Sequence, residues 1–169
     1  MQDYLKDLHR ITGSFPIVEL SALTYLTDPQ GNLLLTQDPA DGYWRLPGGG
    51  IHPGEKVVEC LRRTVFNQIG IYVETVIFLN LFSGKEQNYI DADGARITPI
   101  YAVCLPTKIR GVLRKNSDSG AEIRFFATWN VPIGKVFPPM LGAVQFFLDN
   151  FPGGVPLKPF DIDRFAEED

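Results

Sequence analysis

A run of three glycines that leads into a helix-forming segment has the clearest chemical potential in this sequence. Gly48–Gly50 follow Pro47, and a backbone without side chains turns sharply and offers bare N–H and C=O groups. Glu55 then opens a stretch without glycine or proline, which favours a helix running to about Gly70. Because a glycine-rich loop that feeds a helix commonly holds phosphates, we expect a phosphate site here.

Strands outnumber helices among the elements that must position this segment. Alternating apolar and polar residues predict a strand over residues 16–27, and the turn Asp28–Asn32 connects it to a second strand over 33–37, so that the two form a hairpin. Further strands are predicted over 71–82, 87–90, 96–105, 112–114 and 122–128, with a hairpin turn at Asp91–Gly94, and helices over 2–12 and 139–150. Strands and helices do not alternate regularly, so the expected fold class is α+β, an α/β/α sandwich with a mixed, largely antiparallel sheet between helices.

Length and composition limit the class of protein. The 169 residues suit one domain, which we place at residues 1–150, followed by a tail at 151–169 that is rich in glycine and proline and then acidic. The formal net charge of −4 argues against general nucleic-acid binding. No apolar run approaches the roughly 20 residues that span a bilayer, so no membrane association is expected. Charged residues near the N-terminus are unlike a signal peptide, and Cys60 and Cys104 form no ligand cluster, so the expected location is cytoplasmic.

The spacing around the glycines resembles the Nudix box. Gly49 is followed six positions later by Glu55 and eight positions after that by Arg63, and then by the aliphatic Val65 and by Gly70 before Ile71. The resemblance to MutT-like Nudix hydrolases extends over roughly residues 3–150, through the lead-in 43–49 and the segments Leu81–Gly84, 111–113 and 122–126.

This resemblance implies a metal-dependent pyrophosphohydrolase of nucleoside diphosphate-linked compounds. It implies Mg²⁺ or Mn²⁺, held by carboxylates of the helix and by backbone carbonyls of the loop, because magnesium prefers oxygen ligands. Glu55 and Arg63 would be the retained box residues that support the loop and helix. The implied partner is a nucleotide-type small molecule, and the family also implies a possible homodimer.

The sequence departs from this family at its metal positions. Thr64, Asn67 and Gln68 stand where the resemblance implies glutamates, and they share one face of the helix. Their neutral oxygens should hold a dication far more weakly than carboxylates do. We therefore expect hydrolysis to be weak or lost. The alternatives are a catalytically inactive nucleotide-binding sensor or regulator, and a protein-interaction domain.

Residues outside the helix offer further candidates. Glu122 and Asp118 lie where some relatives place an additional acid, so Glu122 is a possible substitute metal ligand, or else it pairs with a surface base. His52 could reach a phosphate from the loop.

Aromatic and basic side chains could also contact a ligand. Stacking on a base is possible for Trp44 and Tyr89, and for Tyr43 and Tyr101, although core packing is the commoner role of such residues. A basic cluster in the sequence could meet phosphates or guard a strand edge, and its members are Lys108, Arg110, Arg114 and Lys115.

Overall fold

The computed structural model describes residues 4–114 and 120–153. Three α-helices lie in these two ranges: α1 Tyr4–Thr12, α2 Val57–Ile69 and α3 Leu141–Asn150. The strands are β1 Ile17–Thr24, β2 Leu33–Gln37, β3 Trp44–Arg45, β4 Gly48–Gly50, β5 Ile71–Phe82, β6 Tyr89–Ile90, β7 Arg96–Gly111 and β8 Glu122–Phe126. Within these ranges no helix is both long enough and apolar enough to cross a membrane.

The strands form two sheets. The larger sheet has the order β4-β1-β7-β5, with β6 added beside β7, and within it β1 runs parallel to β7 while the other pairs are antiparallel. The smaller sheet, β3-β2-β8, is antiparallel. One face of the larger sheet packs on α2 and the other on α3, because alternate residues of β1 and β7 join two separate apolar clusters. The predicted α+β sandwich with a mixed sheet is thus confirmed.

The hairpin predicted between residues 16–27 and 33–37 forms only beside its turn, where Thr27 bridges Leu33 and the N–H of Leu34 donates to the carbonyl of Leu26 at 2.8 Å. Its turn forms as expected, since the Asp28 side chain accepts from the N–H groups of Gln30 and Asn32, and Gly31 has a φ of 82°. Beyond the turn, however, the two strands enter different sheets. The physical reason is that β4 and β7 already occupy both edges of β1.

Other boundaries also differ from the prediction. The glycine segment is a short strand rather than a loop, and residues 112–114 are not a strand because β7 ends at Gly111. The hairpin at Asp91–Gly94 is confirmed by the antiparallel pairing of β6 with β7. The predicted site residues Asp118 and Lys115 lie outside the described residues, as does most of the predicted tail.

Helix α2 ends as its sequence indicates. Gly70 follows the helix with a φ of 81°, and its N–H donates to the carbonyl of Phe66 at 2.9 Å. Glycine adopts this left-handed conformation without steric cost. At the other end, the Glu59 carboxylate accepts from the N–H of Lys56, which satisfies one of the unpaired donors of the first turn. Between these ends, α2 packs beside β4 and presents Cys60, Arg63 and Gln68 to the glycines.

Candidate functional site

Strand β4 turns alternate peptide groups toward α2. On the β1 side, the N–H of Ile51 and the C=O of Pro47 are bonded to the backbone of that strand at 2.9 and 3.0 Å. Residues of an antiparallel pair alternate between bonded and non-bonded positions. Gly48 and Gly50 therefore direct their N–H and C=O groups away from β1, where side chains of α2 can reach them.

Gln68 closes on Gly48 with both halves of its amide. The N–H of Gly48 donates to Gln68 Oε1 at 3.0 Å, and Gln68 Nε2 donates to the carbonyl of Gly48 at 2.7 Å. The side chain thus pairs with the glycine much as a neighbouring strand would. One predicted metal position is a structural clamp in this geometry.

The next two glycine carbonyls also receive side-chain donors from α2. The Cys60 thiol shares its single proton between the carbonyls of Gly49 and Gly50, at 3.2 and 3.4 Å, and Arg63 Nη2 donates to the carbonyl of Gly50 at 2.8 Å. Burial raises the pKa of Cys60 to about 11, so the thiol keeps its proton at neutral pH. Each carbonyl of β4 therefore accepts a hydrogen bond from one helix face.

Glu55 and Arg63 form the charged part of this arrangement. Arg63 donates through Nε and Nη2 to the two carboxylate oxygens at 2.7 and 3.0 Å, and the N–H of His52 adds a bond of 3.0 Å. The Arg63 hydrogen bond lowers the pKa of Glu55 to about 2, assisted by the His52 N–H. The carboxylate is thus ionised at neutral pH. Both of its oxygens accept hydrogen bonds from Arg63, which joins the segment after the glycines to α2.

Thr64 and Asn67, the other two predicted metal positions, are uncharged and lie in different surroundings. Thr64 is buried, and its hydroxyl donates to the carbonyl of Cys60 at 2.8 Å. Asn67 is exposed, and its backbone carbonyl accepts from Arg114 Nη1 at 3.0 Å. Across the described residues, no three His, Cys, Asp or Glu side chains are grouped so that they could hold a metal ion. Because the family positions carry neutral groups, and a glycine carbonyl is bonded to Gln68, these residues do not fit a Mg²⁺ or Mn²⁺ site.

Glu122 does not rebuild the missing charge, which corrects the prediction of a substitute ligand. It lies on β8, where its neighbour Ile123 packs in the cluster beneath α2. Successive side chains of a strand point to opposite faces, so Glu122 is turned away from that helix. Its carboxylate pairs instead with Arg124, the surface-base alternative.

The stacking prediction for Trp44 is also corrected. Its side chain is 4% exposed and meets Phe126 edge-on, with the ring centroids 4.9 Å apart, so the indole presents no ring face to a ligand. Tyr101 is similarly buried. Tyr89 and Tyr43 are half-buried, and both pack against the ring of Phe137. Tyr89 also lines a cavity of about 300 Å³, so it stays a candidate.

The described members of the basic cluster are engaged with neighbouring groups. Lys108 and Arg110 share the carboxylate of Glu74, at 2.9 and 3.0 Å. Sequence reasoning overlooked Arg62, which donates to the backbone carbonyls of Val73 and Glu74 at 3.0 and 2.6 Å. The available signal was its i,i+4 spacing to Phe66, which places a cation and an aromatic ring on one helix face.

Known proteins resemble this chain in sequence pattern and in fold. A family model described as the NUDIX domain matches residues 19–140. A MutT NUDIX hydrolase from Burkholderia pseudomallei is similar in structure, with a TM-score of 0.60, 22% identity, and coverage of 80% of this chain and 98% of that chain. A MutT structure described for Aliivibrio salmonicida and Vibrio cholerae gives a TM-score of 0.60 at 18% identity, covering 80% of this chain and 100% of that one. The mutator MutT protein from Bacillus halodurans gives 0.58 at 22% identity, covering 76% and 79%. No curated protein sequence matches this chain.

Proposed function

Since this chain belongs to the Nudix family, we propose that it is a nucleotide-binding Nudix domain that has lost the metal-dependent hydrolysis of its relatives. The family acts on nucleotide-type substrates, which supports a ligand of that class. The observation that carries the proposed loss of hydrolysis is the double hydrogen bond between Gln68 and Gly48.

That bond opposes a metal in two ways. A cation bound to the carbonyl of Gly48 would have to compete with the Gln68 Nε2 donor, which lies 2.7 Å from the oxygen. The amide oxygen that would take the place of a carboxylate is neutral and already accepts the N–H of Gly48. Metal charge supplies several kcal/mol of transition-state stabilisation in hydrolases that use it, so a weakly held ion would lower the rate severely.

Restoring the carboxylates tests this proposal. The triple variant Thr64→Glu, Asn67→Glu, Gln68→Glu is compared with the wild-type chain and with Thr64→Gln, Asn67→Gln, which adds side chains of similar size without charge. Each protein is incubated with ADP-ribose, NADH, nucleoside triphosphates and dinucleoside polyphosphates in Mg²⁺ or Mn²⁺, and phosphorylated products are measured. We expect turnover above background from the triple variant alone.

The wild-type chain decides the outcome if the triple variant folds poorly. Turnover by the wild-type chain that depends on added metal would overturn the proposed loss. Metal titration followed by calorimetry gives a second readout, and we expect no saturable Mg²⁺ binding at millimolar concentration by the wild type. Ligand binding is tested separately by thermal stabilisation in EDTA, because a ligand that binds only the native state raises the unfolding midpoint. If none of the nucleotides stabilises the protein, the nucleotide-binding part fails and a protein-interaction domain is favoured.

A further inference from the structure

Two cavities formed by the described residues lie on opposite sides of α2, and they differ in volume. On the glycine side, the cavity bordered by Gly50, His52 and Arg63 holds about 170 Å³, and Tyr4 and Leu5 of α1 form part of its wall. Sites for small organic ligands generally occupy about 300–1,000 Å³, so this cavity is too small for a nucleotide. On the outer side of α2, a groove of about 630 Å³ lies between the helix, the start of β5 and the end of β7.

We propose that this outer groove is the nucleotide site, a location that rests on the nucleotide-binding function proposed above. The base would lie against Phe66 and Tyr72, and the phosphate would be bound by Arg62 and Arg110. The expected ligand is therefore a nucleoside phosphate, whose base contacts the aromatic residues of the groove and whose phosphate contacts the arginines.

Aromatic surface in the groove is exposed and already flanked by guanidinium groups. Phe66 is 44% exposed although it is a large apolar side chain, and Tyr72 is half-buried. The guanidinium carbon of Arg110 lies 4.2 Å from the centroid of the Tyr72 ring, and that of Arg62 lies 5.8 Å from it. Bases stack on such rings and on the planar guanidinium group itself, independently of base identity.

The charges around the groove suit an anion. Two cations, Lys108 and Arg110, share the single carboxylate of Glu74. The charge of Arg62 is presented in a fixed orientation, because its Nε and Nη2 donate to backbone carbonyls of β5, and Nη1 takes no part in these bonds. Arg63 also lines the groove, but its charge is paired with Glu55, and Glu59 adds one carboxylate to the lining. Arg62, Lys108 and Arg110 outnumber the carboxylates of Glu59 and Glu74 here, so this surface is locally positive although the formal net charge of the chain is −4.

A small nucleotide fits these observations better than a polymer does. The groove has the volume of a single-ligand site, and arginine binds phosphate through parallel N–H donors in a fixed plane. A polyanion would meet the net negative charge of the surrounding surface, which opposes extended nucleic-acid binding.

The test compares groove variants with a matched arginine elsewhere. Arg110→Gln removes one cation while Lys108 keeps Glu74 paired, and Phe66→Leu removes an exposed ring while keeping an apolar residue. Arg10→Gln on α1 is the control, because Arg10 is exposed and pairs only weakly with Asp7 at 3.4 Å. Binding of ADP, adenosine and inorganic pyrophosphate is measured by calorimetry in EDTA, and the contacted amides are identified by NMR chemical-shift changes.

We expect ADP to bind the wild type and Arg10→Gln alike, and to bind Arg110→Gln and Phe66→Leu at least about tenfold more weakly. Adenosine and pyrophosphate should each bind more weakly than ADP, since each lacks one end of the ligand. Shifts should cluster at the groove amides of Phe66, Tyr72 and Arg110. The location is overturned if ADP binds both groove variants as it binds the wild type, or if its shifts cluster at Gly48–Gly50; the nucleotide-binding function survives either result. If ADP, ADP-ribose, NADH and the triphosphates all fail to bind, both proposals fail together.

Discussion

The two faces of α2 differ in the partners of their side chains. On the glycine face, Gln68, Cys60 and Arg63 donate hydrogen bonds to the backbone of β4, and Thr64 donates within the helix. On the outer face, Phe66 is exposed beside a groove that holds several arginines. The glycine face therefore uses its polar groups within the fold, whereas the outer face combines arginines that are partly bonded to β5 with an exposed aromatic ring that a ligand can contact.

A retained motif does not by itself locate a working site. The glycines, Glu55 and Arg63 have the spacing of the Nudix box, yet here their bonds join one strand to one helix. A polar group that is already bonded within the fold must lose that bond before it can bind a ligand, and the exchange returns little free energy. Variants of the glycine face should therefore change stability first, and those of the outer face should change binding first.

The largest effect is expected from Gly48→Ala. A Cβ at this position would lie 2.0 Å from the carbonyl oxygen of Ala22, and the φ of 135° is one that alanine rarely adopts. Steric strain and overpacking together should lower the free energy of unfolding by about 3 kcal/mol or more, as measured by urea denaturation. Gly54→Ala is the control: its φ is 80°, but nothing lies within 4 Å of the added carbon, so we expect a loss of about 1 kcal/mol. Equal losses in the two variants would contradict the close contact between β4 and β1.

Glu55→Gln tests the ion pair through its pH dependence. Arg63 lowers the folded-state pKa of Glu55 from 4.5 to about 2, so the stabilisation is present above pH 4.5 and is lost as the pH falls toward 2. At pH 7 the variant should be less stable by about 2 kcal/mol, the usual scale for a hydrogen bond to a charged group. Denaturation curves at pH 7 and pH 3 should show this difference shrinking at the lower pH. If the difference in the free energy of unfolding is the same at pH 7 and pH 3, folding does not lower the pKa of Glu55.

Gln68→Met separates the clamp from simple packing. Methionine has a similar length but cannot bond to the N–H and C=O of Gly48, so the free energy of unfolding should fall by about 1–2 kcal/mol. Asn67→Met is the matched control at the neighbouring family position, and because Asn67 is exposed we expect a change within about 0.5 kcal/mol. Both values come from chemical denaturation in EDTA, and a larger loss at Asn67 would reverse our assignment of the two positions.

The smallest effect is expected from Glu122→Gln. Since this carboxylate pairs with Arg124 on the surface of β8, its loss should change stability by no more than about 0.5 kcal/mol. It should also leave metal titrations of the triple-glutamate variant unchanged when the two are combined. Weaker metal binding in the combined variant would place Glu122 at the glycine face after all.

Local signals in the sequence were sufficient for several features. The turn at Asp28–Asn32, the hairpin at Asp91–Gly94 and the end of α2 at Gly70 each depend on residues close together in the chain, so proline, aspartate and glycine types predict them. The Nudix spacing predicted the family, which the match over residues 19–140 shows. The pairing of β1 could not be predicted in the same way, because its partners β4 and β7 are distant in sequence.

The absence of negative charge at Thr64, Asn67 and Gln68 follows from the amino-acid sequence alone, since charge depends only on residue type. The contacts that these residues make instead depend on the packing of α2 against the sheet. Gln68 meets Gly48 because β4 pairs with β1 and thereby turns its free peptide groups toward α2. The same packing brings Arg62 and Phe66 beside Tyr72 and Arg110, and this groove exists only where the helix, β5 and β7 meet.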